Sequence, residues 1–187
     1  MTGRPVTCPG RAAAGWPSRV LPATSREIVT DCLAVIDVLA VLIERLDGEL
    51  HQHAKADPRV KVLRTLPGVG EFTALVMVAE IGDITRFPSA RKLASWAGLT
   101  PTVRGSDLKV RHGNISKQGS VWLRWVMNQA AQTAKRSSEY AATYSSIAKR
   151  RGKNIATIAV SRKLLTRAWH LLAELQAADA STPPRRP

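Results

Sequence analysis

The sequence predicts an all-α fold, in which a helical domain containing a helix-hairpin-helix follows a long amphipathic helix. Apolar residues recur at intervals of three and four along most of the chain, which is the spacing of one helix face. Glycine, proline or a small polar residue stands at each break between these stretches, where helices begin and end. Neither an internal repeat nor a central strand is evident, so the 44% of hydrophobic residues are expected to form one helical core.

Composition and periodicity divide the chain into four segments. Residues 1–25 are rich in proline, glycine, alanine and arginine and show no period, and residues 178–187 run into a proline- and arginine-rich end, so both are predicted to be disordered tails. Residues 26–57 contain a long helix, interpreted as a coiled-coil or oligomerisation helix. Residues 58–177 are predicted to form the helical domain.

The long helix carries an apolar seam whose steps alternate between four and three residues, as in a heptad repeat. A second apolar row beside the seam widens the stripe, so the helix can face a coiled-coil partner, the domain core, or both. Three heptads are short, and ordinary core packing is as good an interpretation as dimerisation. The seam consists of Ile28, Cys32, Val35, Leu39, Leu42 and Leu46.

Residues 58–66 and 71–81 are predicted to be the two helices of the hairpin, joined at Pro67-Gly68-Val69-Gly70. Residues 99–119 contain three glycines, one proline and few apolar residues, so they are expected to form a loop or a short ribbon. Ser89 and Ser120 are predicted helix caps. The other predicted helices are 90–97, 121–136, 137–147 and, after a basic break at 149–153, a last helix from 154 to about 177.

The formal net charge is +14, and it is not spread evenly. Residues 101–170 hold 14 Lys and Arg against 2 Asp and Glu, whereas the first hundred residues hold 12 against 10. Such a basic half predicts a polyanionic partner, of which nucleic acid is the commonest. Two cysteines exclude a disulfide framework and a cysteine-based zinc site, and no apolar run approaches the ~18 residues of a membrane span, so a cytoplasmic location is expected.

The hairpin turn is the first candidate for DNA binding. Gly68 and Gly70 permit a sharp turn, and we expect backbone amides near Gly68, Val69 and Gly70 to be free at the start of the second helix. Free amides and the helix dipole attract an anion such as a DNA phosphate. The alternative is a plain αα-hairpin, in which the glycines only allow the turn.

The second candidate is the loop that carries Ser106 among the cations Arg104, Lys109 and Arg111. A serine hydroxyl is a poor nucleophile unless a base or metal takes its proton and cations stabilise the leaving phosphate. Asp107 and His112 are possible bases, although spacing alone does not show that they converge on Ser106. Without further information, a solvated basic loop with a turn at Ser106-Asp107 is the simpler interpretation.

The third candidate is the helix start after Gly119, where Lys117 and Arg124 flank another possible anion site. The polar face that continues along this helix can track a nucleic-acid backbone, and a solvated face explains the pattern equally well. No group of His, Cys, Asp and Glu residues has the spacing of a metal site, so no metal ligand is assigned in this chain.

Several blocks of the chain, in order, closely resemble the C-terminal domain of insertion-sequence transposases of the one-ten, one-sixteen and nine-oh-two type. The similarity extends over roughly residues 26–173, and ordered blocks with consistent spacing are more specific than any single motif. The main blocks are Leu-Pro-Gly-Val-Gly at 66–70, Ala-Glu-Ile-Gly-Asp at 79–83, Leu-Ala-Ser-Trp-Ala-Gly-Leu-Thr-Pro at 93–101 and Gly-Asn-Ile-Ser-Lys-Gln-Gly at 113–119.

The resemblance implies a DNA recombinase that moves a mobile element under the guidance of a structured RNA. In that family, an N-terminal RNase H-like domain with acidic DEDD residues binds magnesium, a coiled coil links it to the C-terminal domain, and a composite active site forms between subunits of an oligomer. The nucleophilic serine of the family matches Ser106, although the family usually has Ser-Gly where this chain has Ser106-Asp107.

No set of acidic residues in this chain resembles the DEDD constellation, so the sequence is interpreted as a truncated transposase. Alone, it is expected to bind nucleic acid without catalysis, through Gly68, Val69, Gly70, Arg104, Lys109, Arg111, Lys117 and Arg124. Two other functions stay open. One is a non-catalytic helix-hairpin-helix module that binds DNA, and the other is a protein that binds only structured RNA.

Overall fold

The computed structural model describes residues 22–106 and 109–181. This part of the chain is predominantly helical, which confirms the predicted all-α class. The predicted tails lie largely outside the described residues, at 1–21 and 182–187, whereas residues 178–181 belong to the last helix. The helices are α1 (Ala23–Ala56), α2 (Pro58–Leu63), α3 (Glu71–Ile81), α4 (Ala90–Trp96), α5 (Val121–Ala134), α6 (Ser138–Arg151) and α7 (Lys153–Ser181), with a 3-10 turn at Ile84–Arg86.

The chain divides into two compact units, Met1–Gln52 and His53–Pro187. In the first unit, the described residues belong almost entirely to α1, which continues to Ala56. The predicted seam lies on this helix, and its large apolar side chains are exposed. They include Ile28, Val35, Leu39, Leu42 and Leu46, together with Ile36 and Ile43 from the second row.

The core of the second unit lies where α5 and α7 pack against each other and against α3 and α4. Buried residues on α5 and α7 recur every three or four positions, so each helix turns one continuous apolar face inward. Trp169 packs against this core and its indole Nε1 donates a hydrogen bond to the carbonyl of Phe87 at 3.0 Å. The fully buried large side chains include Met77, Leu93, Leu123, Met127, Val160, Leu164 and Leu165.

The predicted helix caps are confirmed at two positions. The hydroxyl of Ser89 accepts from the Lys92 amide at 3.4 Å, and that of Ser120 accepts from the Leu123 amide at 3.1 Å. The first helix of the hairpin ends at Leu63, three residues before the predicted end at 66. A proline disfavours helical backbone in the residue before it, and Pro67 therefore helps to end this helix early.

Residues 99–119, for which a loop or a short ribbon was predicted, contain an antiparallel ribbon. Its strands are β1 (Pro101–Ser106) and β2 (Lys109–Ile115), with an irregularity between Pro101 and Val103. The ribbon links α4 to α5. Among the helices described here, none is both long enough and apolar enough to cross a membrane.

Candidate nucleic-acid interface

The ribbon brings the predicted catalytic serine and three predicted DNA-binding residues into register. Arg104 pairs with Arg111, and Ser106, at the end of β1, pairs with Lys109, at the start of β2. Alternate positions of a strand belong to the same face, and so do directly paired positions. The four positions therefore share one face of the ribbon. Asp107, one possible base for Ser106, lies outside the described residues.

His112, the other possible base, occupies a different part of the ribbon. It pairs with Val103, which stands three positions before Ser106 in β1. Because faces alternate along a strand, this pair belongs to the face opposite Ser106. The register therefore places the positions of His112 and Ser106 on opposite faces of the ribbon, a question that the sequence spacing left open.

The base of the ribbon is anchored by close backbone packing between its two flanking segments. The amide of Ser116 donates to the Thr100 carbonyl at 2.9 Å, and that of Lys117 donates to the Gly98 carbonyl at 3.2 Å. Gly98 and Gly119 both have φ of +71°. A side chain on Gly98 would collide with the backbone of Gln118, and one on Gly119 would collide with the carbonyl of Trp96.

This packing explains why glycine stands at both positions, since neither the backbone angle nor the space suits another residue. From the sequence alone, Gly98 was interpreted only as the stop of a helix. The role of ending a helix gives no indication that a second glycine, Gly119, which lies 21 positions later in the sequence, packs against the same turn.

Arg124 also contributes to this packing around Gly98 and Gly119, which we call the glycine anchor. Its Nη1 atom donates to the carbonyls of Gln118 at 2.6 Å, Gly119 at 3.0 Å and Ala97 at 3.3 Å. The side chain is half-buried. The sequence predicts Arg124 to be a phosphate contact, whereas in the structure its guanidinium joins the end of α4 to the turn that precedes α5.

Arg124→Met is expected to lower the free energy of unfolding by about 1–3 kcal/mol, since the charged donor to three backbone carbonyls, one of them on the buried residue Ala97, is lost while the aliphatic stem is kept. Urea denaturation followed by circular dichroism measures the change. Arg136→Met is the matched control, because Arg136 is exposed and the cost there is expected to stay within about 0.5 kcal/mol. Equal stability of the two variants would contradict the anchoring role.

The hairpin turn differs from the prediction at one residue. Val69 is buried, and its amide donates to the carbonyl of Leu66 at 3.1 Å, so this amide is not free for an anion. Gly68 has φ of +78° and lies against α5, where a side chain would collide with the Ala130 carbonyl. Gly70 precedes α3, is exposed and makes no side-chain cap, so the start of that helix is the open part of the turn.

The charges at the hairpin are partly balanced. The Arg64 guanidinium lies 3.2 Å from the carboxylate of Glu71, which stands in the first turn of α3. A carboxylate there is stabilised by the helix dipole and competes with any phosphate for the same position. Lys117, by contrast, is exposed at the base of the ribbon and has φ of +56°.

A cavity of about 660 Å³ lies away from the ribbon, between α2, the end of α3 and α7. The guanidinium of Arg59 hydrogen-bonds to Asp57 and lowers the pKa of that carboxyl. Asp83 and Asp179 also line this cavity, so its charge is unsuited to nucleic acid. Throughout residues 22–106 and 109–181, no three His, Cys, Asp or Glu side chains form a group that could hold a metal ion.

Comparison with known proteins places these elements in a family. Residues 60–146, from α2 into α6, match the model of the transposase IS116/IS110/IS902 family. A probable family 20 transposase of Pseudomonas aeruginosa is 28% identical over 158 residues, which cover 82% of this chain and 47% of the relative. The transposase for insertion sequence element IS1111A of Coxiella burnetii is 33% identical over 131 residues, or 67% of this chain and 36% of the relative.

A third relative, the pilin gene-inverting protein of Moraxella bovis, is 30% identical over 147 residues, which cover 73% of this chain and 45% of the relative. The chain thus spans less than half the length of each of these three relatives. The matched region contains the hairpin, the ribbon and the glycine anchor. The chain belongs to the IS116/IS110/IS902 family of insertion-sequence transposases.

Proposed function

We propose that this chain is the DNA-binding, serine-bearing part of an insertion-sequence transposase and acts in DNA transposition or recombination. The observation that carries the proposal is the register of the ribbon, in which Ser106 shares a face with Arg104, Lys109 and Arg111. A nucleophile for phosphoryl transfer needs cations beside it, because negative charge builds up on the phosphate oxygens in the transition state. Membership of a transposase family supports the same assignment.

In the proposed reaction, the hydroxyl oxygen of Ser106 forms a bond to a DNA phosphorus, and one P–O bond of the strand breaks. The serine proton passes to a base, and the departing sugar oxygen takes up a proton. One phosphodiester is exchanged for another, so the joined strand can later be restored by the reverse step without an energy source. Arg104, Lys109 and Arg111 hold the phosphate and offset its charge.

Magnesium, which the family resemblance implies, is not assigned to this chain. The described residues do not fit a magnesium site, since their carboxylates do not gather in a group of three. No step above therefore passes through a metal. If magnesium assists the reaction, its ligands belong to the RNase H-like domain that the resemblance implies.

Self-association through α1 is part of the proposal, with a second copy of this chain as the partner. The exposed apolar residues of α1 repeat with heptad spacing, and burying them against an identical helix removes them from water. A guide RNA is a further proposed partner, supported only by the family resemblance.

Binding to duplex DNA tests the proposal. If about six cations meet phosphates, the logarithm of the association constant should fall with the logarithm of the salt concentration at a slope of roughly −5. Neutralising Arg104 and Arg111 to glutamine should make the slope less negative by about 2. Fluorescence anisotropy of a labelled duplex measures both, and Arg45→Gln with Lys55→Gln on α1 is the matched control. A slope near zero for the unsubstituted chain contradicts nucleic-acid binding.

The second candidate function is a non-catalytic helix-hairpin-helix module, favoured by the exposed and uncapped start of α3 at Gly70. The same assay separates the two, because DNA held by the hairpin leaves the slope unchanged when Arg104 and Arg111 are neutralised. Competition between duplex DNA and RNA hairpins tests the third possibility, a protein that binds only structured RNA.

A further inference from the structure

The turn between α6 and α7 is exposed and strongly basic. Seven consecutive residues, 149–155, are exposed, and they include the four cations Lys149, Arg150, Arg151 and Lys153. We call this segment the basic elbow. Gly152 lies at its centre with φ of +91°, and a side chain built there would meet nothing within 4 Å. No described residue therefore covers the elbow.

The charge of the basic elbow is not neutralised by neighbouring carboxylates. The sequence contains no Asp or Glu between Glu139 and Glu174, which includes most of α6 and more than half of α7. The carboxylate ion pairs found in the described part of the chain involve Arg59 and Arg64, both far along the sequence from the elbow. Arg150 donates to the Ser146 carbonyl at 3.4 Å, which leaves its charge in place.

Helix stability accounts for only part of this charge. Lys149, Arg150 and Arg151 lie in the last turn of α6, where cations are favoured by the helix dipole. Lys153 is the first residue of α7, and a cation at a helix start is disfavoured by the same dipole. The first turn of α7 has no acidic residue to offset it. The elbow therefore concentrates cations beyond what its two helices need.

The elbow joins two helices, α6 and α7, that pack against each other. Tyr140 of α6 is buried, and Lys163 of α7 donates to the Thr143 hydroxyl at 3.1 Å, so the two helices pack side by side. At 1.5 Å per residue, the start of α7 lies about 24 Å along the helix from Trp169. The indole of Trp169 donates a hydrogen bond to the carbonyl of Phe87. The Phe87 ring contacts Trp96, which lies at the end of α4, the helix that leads into the ribbon.

We propose that the basic elbow is a second contact with the sugar-phosphate backbone of nucleic acid, separate from the ribbon. This inference rests on the proposed function, since it assigns a further surface to the same ligand. Four exposed cations without carboxylate partners fit a chain of phosphates, whose condensed counterions are released when the cations bind. The contact is independent of sequence, because phosphates are the same at every base pair. Its role is to fix the position of the nucleic acid relative to Ser106.

The test neutralises the elbow by changing Lys149, Arg150, Arg151 and Lys153 together to glutamine. Because all four side chains are exposed, the variant is expected to fold, and thermal unfolding by circular dichroism verifies this. Binding to a labelled DNA duplex should weaken by about 1,000- to 10,000-fold at 0.1 M salt, and the salt slope should become less negative by about 3 to 4. The matched control exchanges the residue types but keeps the charge, with Lys149→Arg, Arg150→Lys, Arg151→Lys and Lys153→Arg, and should bind as the unsubstituted chain does.

Three results would overturn the inference. One is an unchanged affinity and slope in the folded glutamine variant. The second is an equal loss in the charge-preserving variant, since charge would then not be the cause. The third is a drop in affinity with no change of slope. In each case the unsubstituted chain still binds, so the proposed function stands, whereas absence of binding by the unsubstituted chain contradicts the proposed function itself.

Discussion

Ser106→Ala is expected to abolish DNA strand exchange while leaving DNA binding intact. Removing the attacking oxygen removes the covalent step, and loss of a catalytic nucleophile lowers rates by at least about a thousandfold. The cations that hold the phosphate are unchanged, so the affinity and salt slope of the variant should equal those of the unsubstituted chain. The measurement is strand exchange on a labelled substrate, with the chain supplied together with the RNase H-like domain and guide RNA that the resemblance implies.

Ser116→Ala is the matched control for this experiment. Ser116 lies beyond the other strand of the ribbon, and its buried hydroxyl has no hydrogen-bond partner among the described residues. Removing an unpaired buried hydroxyl is close to neutral for stability, so exchange should survive. Strand exchange that continues at an unaltered rate in the Ser106 variant would show that another group is the nucleophile.

Gly119→Ala is expected to lower the free energy of unfolding by about 3 kcal/mol or more, which is a large part of the roughly 5–15 kcal/mol that stabilises an ordinary domain. Two costs add at this position. The backbone has φ of +71°, which a residue with a side chain adopts with strain, and the new methyl group would collide with the carbonyl oxygen of Trp96. The neighbouring carbonyl carbon is also within 3.1 Å, so the end of α4 must move away. Urea denaturation measures the loss.

Substitutions at two other glycines distinguish the cost of the backbone angle from the cost of the steric collision. Gly152→Ala keeps a positive φ, at +91°, but a methyl group there enters open space, so only the backbone cost of about 1–2 kcal/mol is expected. Gly70 has φ of −83°, and a methyl group built there meets nothing within 4 Å. Gly70→Ala should therefore change the free energy of unfolding by less than about 1 kcal/mol. The role of Gly119 in the glycine anchor is contradicted if Gly119→Ala lowers the free energy of unfolding no more than Gly152→Ala does.

Local chemistry made much of the fold predictable. The helix caps at Ser89 and Ser120 need only a hydroxyl and an amide three residues away, and both were read correctly from the sequence. The helical period identified α5 and α7 as helices for the same reason, since neighbours on a helix face are three or four residues apart. The ribbon was only an alternative to a loop, because few apolar residues mark its strands.

The candidate site was predictable only as a set of residues. Ser106 and its cations were identified from the sequence, but their pairing needed the register, which depends on how two strands meet. Val69 was expected to offer a free amide, whereas the turn uses that amide for its own hydrogen bond to Leu66. Arg124 was expected to contact phosphate, whereas its guanidinium donates to backbone carbonyls, one of which, that of Ala97, lies 27 residues away in the sequence.

The sequence by itself determined the all-α class, the basic second half and the identity of the residues that can act on a phosphate, because these depend on composition and on neighbours within a few positions. The tertiary structure decided which of those residues share a face, which arginine is used to hold the backbone, and that a turn interpreted as a break is an exposed elbow of cations. These features depend on distances between segments that are remote in sequence. Such distances are set by packing, which the local pattern of residues does not specify.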